Sequence, residues 1–137
     1  MAYWLLKSEP VKYPWSQMVE DGRTHWDGIR NFQAANNLKA MKIGDRAFFY
    51  HSNEGKEIVG VVEIVRTAYP DPGDKDGKFV MVDVAPVKPV ETPVTLTEMK
   101  GMPELAGFSL LRQSRLSVCP VSDKEWGVIC RKAGIEA

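Results

Sequence analysis

The chain has 137 residues, 44% of them hydrophobic, which is the size of one domain with a genuine core, so a single domain spanning residues 1–137 is expected. Lys plus Arg and Asp plus Glu each number 18, so no overall field draws the molecule to a polyanion, and any nucleic-acid binding has to rest on local chemistry. Cys119 and Cys130 lack CxxC spacing and read as buried thiols, no metal site or cofactor is indicated, and no stretch approaches the roughly 20 apolar residues of a membrane span. A soluble, cytoplasmic protein with no membrane partner is the expectation.

Residues 2–7 are aromatic and aliphatic and predict a short buried strand that Pro10 prevents from continuing. Pro14 to Glu20 predicts a short helix with Asp21-Gly22 as its stop. Phe32, Ala35, Leu38 and Met41 fall at helical spacing, so residues 31–41 form a second helix, and Gly28 allows a sharp turn before it. Residues 46–52 have the aromatic density of a strand, residues 53–57 read as a hairpin loop, and residues 58–65 as a β-branched strand. Gly60 inside that strand marks either a bulge or close backbone approach, or an incidental weak point. Residues 70–77 form a polar loop, expected to be an exposed connection, before a strand at 79–85. Thr95-Leu96-Thr97-Glu98 and Ser122-Asp123-Lys124-Glu125 fit the capping box, placing helices from about 96 and 123 with a strand at 116–121 between them. Strands interrupted by short helices, without regular βαβ alternation, predict an α+β fold with a curved or barrel-like sheet.

Chemistry concentrates in three mixed segments. Trp26-Asp27-Gly28-Ile29-Arg30-Asn31 puts an aromatic face, a turn, a cation and an amide within six residues, and reads as recognition surface more readily than as core. Phe49-Tyr50-His51-Ser52 ends an apolar run in hydrogen-bonding groups, and Arg112-Gln113-Ser114-Arg115 sets two guanidiniums around an amide and a hydroxyl; the three segments are expected to share one pocket. Trp26 is then either ordinary core or a stacking wall for a flat base. Asn31 is either the N-cap of the following helix or a reader of a base edge, since an amide offers both donor and acceptor. Arg112 and Arg115 suit phosphate or carboxylate contacts as a pair. No GxSxG, GxGxxG or GxxxxGK[ST] occurs, and with only His25 and His51 a nucleophile has few possible bases.

Taken together, Trp-Leu-Leu-Lys-Ser-Glu-Pro (4–10), Trp-Asp-Gly-Ile-Arg-Asn-Phe-Gln-Ala (26–34), Gly-Asp (44–45), Phe-Phe-Tyr-His-Ser-Asn (48–53) and Arg-Gln-Ser-Arg-Leu-Ser-Val (112–118) resemble the EVE domain family, which includes the thymocyte nuclear protein 1 type. The similarity runs from about residue 2 to 134. The resemblance implies a PUA-like pseudobarrel of mixed, mainly antiparallel strands with flanking short helices, related in fold to PUA and YTH modules. It also implies a non-catalytic reader of DNA or RNA that carries a modified base such as 5-methylcytosine. Carried over by position, Trp26, Ser8, Asn31, Ser52, Gln113 and Ser114 are base-binding candidates. Lys7, Glu9, Arg30, His51 and Arg115 are candidates for the pocket or the nucleic-acid backbone. Many family members have Arg after Gln-Ala where this chain has Ala35, which implies a weaker grip on phosphate or one shared with Lys39 and Arg30. The competing reading is an enzyme on a modified base or nucleotide, with Glu9 or His51 as acid/base, or a small-molecule sensor using the same pocket.

Overall fold

A computed structural model describes residues 1–137. Its strands are β1 (Tyr3–Ser8), β2 (Thr24–Trp26), β3 (Arg46–His51), β4 (Glu57–Pro70), β5 (Val80–Thr95) and β6 (Val118–Val121). Its helices are α1 (Trp15–Asp21), α2 (Phe32–Ala40), α3 (Leu96–Lys100), α4 (Ser109–Arg112) and α5 (Asp123–Ala133), with a 3-10 turn at Pro103–Leu105. The strands form one sheet in the order β2-β5-β4-β3-β1-β6, in which only the β1–β3 pair is parallel. The α+β class expected from the sequence is therefore the class observed. No helix is long and apolar enough to cross a membrane.

β1 lies inside the sheet because Trp4, Leu5 and Leu6 are all buried and need cover on both faces. Asp45, itself buried, anchors the start of that strand: its carboxylate accepts from the Ala2 amide at 3.0 Å, the Trp4 indole Nε1 at 3.1 Å and the Lys42 amide at 3.0 Å. On the Tyr3 face of β1, Trp126 of α5 is sandwiched between Tyr3 and Phe48, with ring centroids 4.2 and 3.9 Å away and interplanar angles of 12° and 18°. The last helix thus closes the core over the first and third strands. Both predicted capping boxes form, at Thr95/Glu98 and Ser122/Glu125. The stop at Gly22 is also present, with φ at +69°.

The two central hairpin strands run further than the sequence predicted. β5 continues through Pro86, Pro89 and Pro93 because β2 pairs only with Val82–Val84; beyond that point one flank of β5 needs no amide donors. Register shifts recur along β4–β5, as expected of a curved sheet. β2, the 3-10 turn and α4 were not predicted, since three or four residues carry too little periodicity to be read.

Gly60 is both a register irregularity and a close approach. A Cβ built there would lie 2.5 Å from the Trp15 ring, so the six-membered ring of that indole packs directly on bare backbone. The weak-point reading of this glycine is set aside. Gly60→Ala should destabilise the protein by about 1–3 kcal/mol, as overpacked core substitutions do, and combining it with Trp15→Leu should cost less than the sum of the two single changes. Urea unfolding of the three variants measures both effects.

Candidate functional site

The three mixed segments do not share one pocket, which corrects the sequence expectation. The first and third contribute to two separate clefts, and Phe49-Tyr50-His51-Ser52 lines neither. The first cleft, about 460 Å³, is lined on one side by Lys7, Ser8, Glu9, Lys12 and Tyr13 at the exit of β1, and on the other by residues 24–29. The second, about 320 Å³, is lined by Asn31 and Gln33 at the start of α2 and by residues 112–116. Its lining includes Arg112 and Arg115 and no carboxylate. The side chain of Lys7 links the two clefts: it lines the first, and its Nζ donates to the Ser114 carbonyl of the second at 2.9 Å. Burial lowers the Lys7 pKa, and the nearby Cys119 thiol opposes that shift.

Of the eleven candidate residues, Lys7, Ser8, Glu9 and Trp26 line the first cleft, and Asn31, Gln113, Ser114 and Arg115 the second. Arg30, His51 and Ser52 line neither. Trp26 does not stand out as a free platform, as its polar neighbours had implied. It is only 8% exposed and meets Phe49 at 5.6 Å and Tyr13 at 6.3 Å, both edge-on. The indole is therefore core on one side and cleft lining on the other. β2 places it there, pairing Trp26 with Val82 of β5.

Asn31 is the N-cap of α2, its Oδ1 accepting from the Ala34 amide at 2.9 Å. Ser8 is buried and donates to the Tyr13 carbonyl at 2.5 Å, closing the turn between β1 and α1. Ser52 extends the parallel pairing, its amide donating to the Ser8 carbonyl at 2.9 Å. Glu9 is partly exposed and lies 3.5 Å from Lys12. His51 accepts from the Trp15 amide through Nε2 at 3.0 Å, which requires the neutral ring with its proton on Nδ1.

Arg30 is not free for a polyanion. Its Nη1 pairs with Asp71 at 2.9 Å, and its guanidinium lies 5.5 Å from the centre of the Phe79 ring. Asp71 belongs to the 70–77 segment expected to be an exposed connection, yet it is buried. Its Oδ2 also accepts from the Gly28 amide at 2.9 Å and its Oδ1 from the Gly73 amide at 2.8 Å. Gly28 sits at φ +77°, a conformation that side chains with a Cβ resist. Asp71 therefore fixes the turn that carries Trp26 into the first cleft and Asn31 into the second. Burial alone would raise its pKa, but the hydrogen bonds from Gly28, Arg30 and Gly73 outweigh it and hold the carboxyl below the usual range. Sequence reasoning missed Asp71, along with Tyr13, Thr24 and Gln33 of the cleft linings. The Pro-Asp-Pro-Gly turn signature was the available sign that Asp71 would bond to backbone amides.

The EVE domain family model matches residues 2–132. This chain is an EVE domain protein. Thymocyte nuclear protein 1 of Rattus norvegicus is 37% identical over 162 aligned residues, covering 93% of this chain and 71% of that protein; the Homo sapiens protein is 34% identical, covering 93% and 72%. Among solved structures, Rpa0253 from Rhodopseudomonas palustris superposes with a TM-score of 0.93 at 54% identity, covering 98% of this chain and 94% of that one. Human THYN1 in complex with 5-methylcytosine-containing DNA superposes with a TM-score of 0.92 at 33% identity, covering 100% of both chains.

Two outcomes follow for this EVE domain. Asp71→Ala should lower stability by about 1.5–3 kcal/mol, the usual cost of losing hydrogen bonds to a charged group, and should speed amide exchange at Gly28 and Gly73. Hydrogen exchange followed by NMR, alongside urea unfolding, reads both. For His51, burial lowers the pKa and Glu57 opposes that shift, so the neutral ring belongs to the folded state. The contribution is fully present above the ordinary histidine value of about 6.5 and is lost as pH falls through the lower folded value. Urea midpoints of the wild type should therefore drop between about pH 7 and pH 5 by more than those of His51→Gln, which has no ring to protonate.

Proposed function

We propose that this EVE domain is a non-catalytic DNA-binding module that takes a modified base, extruded from its stack, into the first cleft. The observation that carries the reading is the likeness, over the whole of this chain and of the solved one, to human THYN1 in complex with 5-methylcytosine-containing DNA. The first cleft supports it chemically. At about 460 Å³ it falls within the size range of small-ligand sites, with Trp26 and Tyr13 as aromatic lining. The Glu9 carboxylate is an acceptor suited to the exocyclic amine of a cytosine, and the Thr24 methyl is an apolar partner for a ring methyl. In the second cleft, Arg115 and Arg112 take backbone phosphate, with Gln113 and Ser114 as supporting hydrogen-bond groups. Arg30 has no part in the phosphate grip, because Asp71 already neutralises it.

Net charge supports a reader of this kind. With 18 basic and 18 acidic residues the protein has no broad electrostatic hold on a duplex, so affinity has to come from the base and a few phosphates. Against the enzymatic alternative, the His51 Nε2 lone pair is committed to the Trp15 amide, away from either cleft.

Calorimetry with matched duplexes carrying cytosine or 5-methylcytosine, at two salt concentrations and with an RNA counterpart, tests the proposal. The modified duplex should bind more tightly. Trp26→Phe or Glu9→Gln, which remove contacts common to both bases, should weaken both duplexes about tenfold at unchanged salt slope; Thr24→Ser should cut the preference about fourfold, the worth of one buried methyl; and Arg115→Ala should weaken both duplexes alike and reduce the salt slope by about one. Equal affinity of the wild type for modified and unmodified DNA sinks the reading.

A further inference from the structure

Phe32 is out of place by the ordinary rules of burial. It is the first residue of α2 and 64% exposed, although it follows the turn that Asp71 holds. Its ring is nonetheless supported: it lies 4.9 Å from that of Phe79 at an interplanar angle of 31°, and the Arg30 guanidinium sits on the Phe79 ring in turn. Phe79 itself packs against the core. A single exposed phenyl is unremarkable on a soluble protein, but one fixed by a second ring, a paired guanidinium and a helix cap is held ready for contact.

Its neighbours define what it would meet. Ile29 lines the first cleft, and Asn31 and Gln33 line the second beside Arg112 and Arg115, so the phenyl projects from the stretch of chain that joins the two. Extruding a base leaves a gap in the duplex, and apolar side chains that enter base steps lower the cost of opening them. We propose that Phe32, buttressed by Phe79, is the stacking wedge that enters the base stack beside the extruded nucleotide, while the arginine-bearing cleft holds the adjoining phosphates. This rests on the base-reading function above and adds a residue that acts on the duplex rather than on the base.

The test compares wild type, Phe32→Ala and Phe32→Trp on a 5-methylcytosine duplex and on the free nucleoside 5-methyl-2′-deoxycytidine. The exposure of Phe32 means that each variant should keep the fold, which thermal unfolding checks. Phe32→Ala should lose about tenfold in duplex affinity, the scale of one base–aromatic stack, with nucleoside affinity unchanged. Phe32→Trp should retain duplex affinity, and its added indole emission should be quenched by the duplex and not by the nucleoside. Wild-type duplex affinity in Phe32→Ala overturns the wedge and leaves the base-reading function standing; the aromatic step would then belong to a protein contact. Equal binding of modified and unmodified duplex by the wild type, with the Phe32→Ala loss intact, sinks the base-reading function and keeps the wedge. Loss of nucleoside affinity in Phe32→Ala overturns the wedge by placing Phe32 in the base site.

Discussion

The buried carboxylate of Asp71 is the constraint on which the candidate site depends. A loop that turns through a left-handed glycine, exposes a phenyl and starts a helix within five residues has little intrinsic preference for one conformation. Asp71 supplies that preference with two backbone amides and one guanidinium as partners. The charge is retained in a buried place because those donors stabilise the ionised form by more than burial opposes it. Arg30, which the sequence offers as a ligand for nucleic acid, is therefore a structural cation.

Phe49 plays the corresponding part for the core. Its ring lies between 5.3 and 6.5 Å from those of Trp15, Trp26, His51 and Tyr13, so strand β3, helix α1 and both walls of the first cleft meet on one side chain. Trp15 can take its place in this group because Gly60 leaves room for its ring. The walls of the first cleft thus inherit the rigidity of close core packing.

Much of the fold was legible in the sequence, and the reasons are local. Capping boxes at Thr95 and Ser122, the stop at Gly22 and the β-branched run after Gly60 each encode an element within a few residues. The site was legible only as segments. Its motifs were visible, but their division into two clefts depends on β2 and α4, which are too short to show periodicity, and on contacts between distant positions such as Lys7 with Ser114. Trp26 illustrates the limit: polar neighbours in sequence implied exposure, while the ring packs beneath them against Phe49 and Tyr13. Asp71 is hidden for the same reason: most of residues 70–77 are exposed as expected, and the partners that bury Asp71 lie more than forty positions away in residues 28 and 30.

The place of β1 within the sheet has a consequence for how the chain acquires its shape. One side of β1 is covered by β3, and the other side stays open until residues 118–121 arrive. Trp126, which closes the Tyr3–Phe48 stack, comes later still. During synthesis from the N-terminus, an apolar strand with unpaired amides and carbonyls therefore waits for nearly the entire chain to emerge. The nascent chain, more than the finished protein, is the form that needs protection from aggregation.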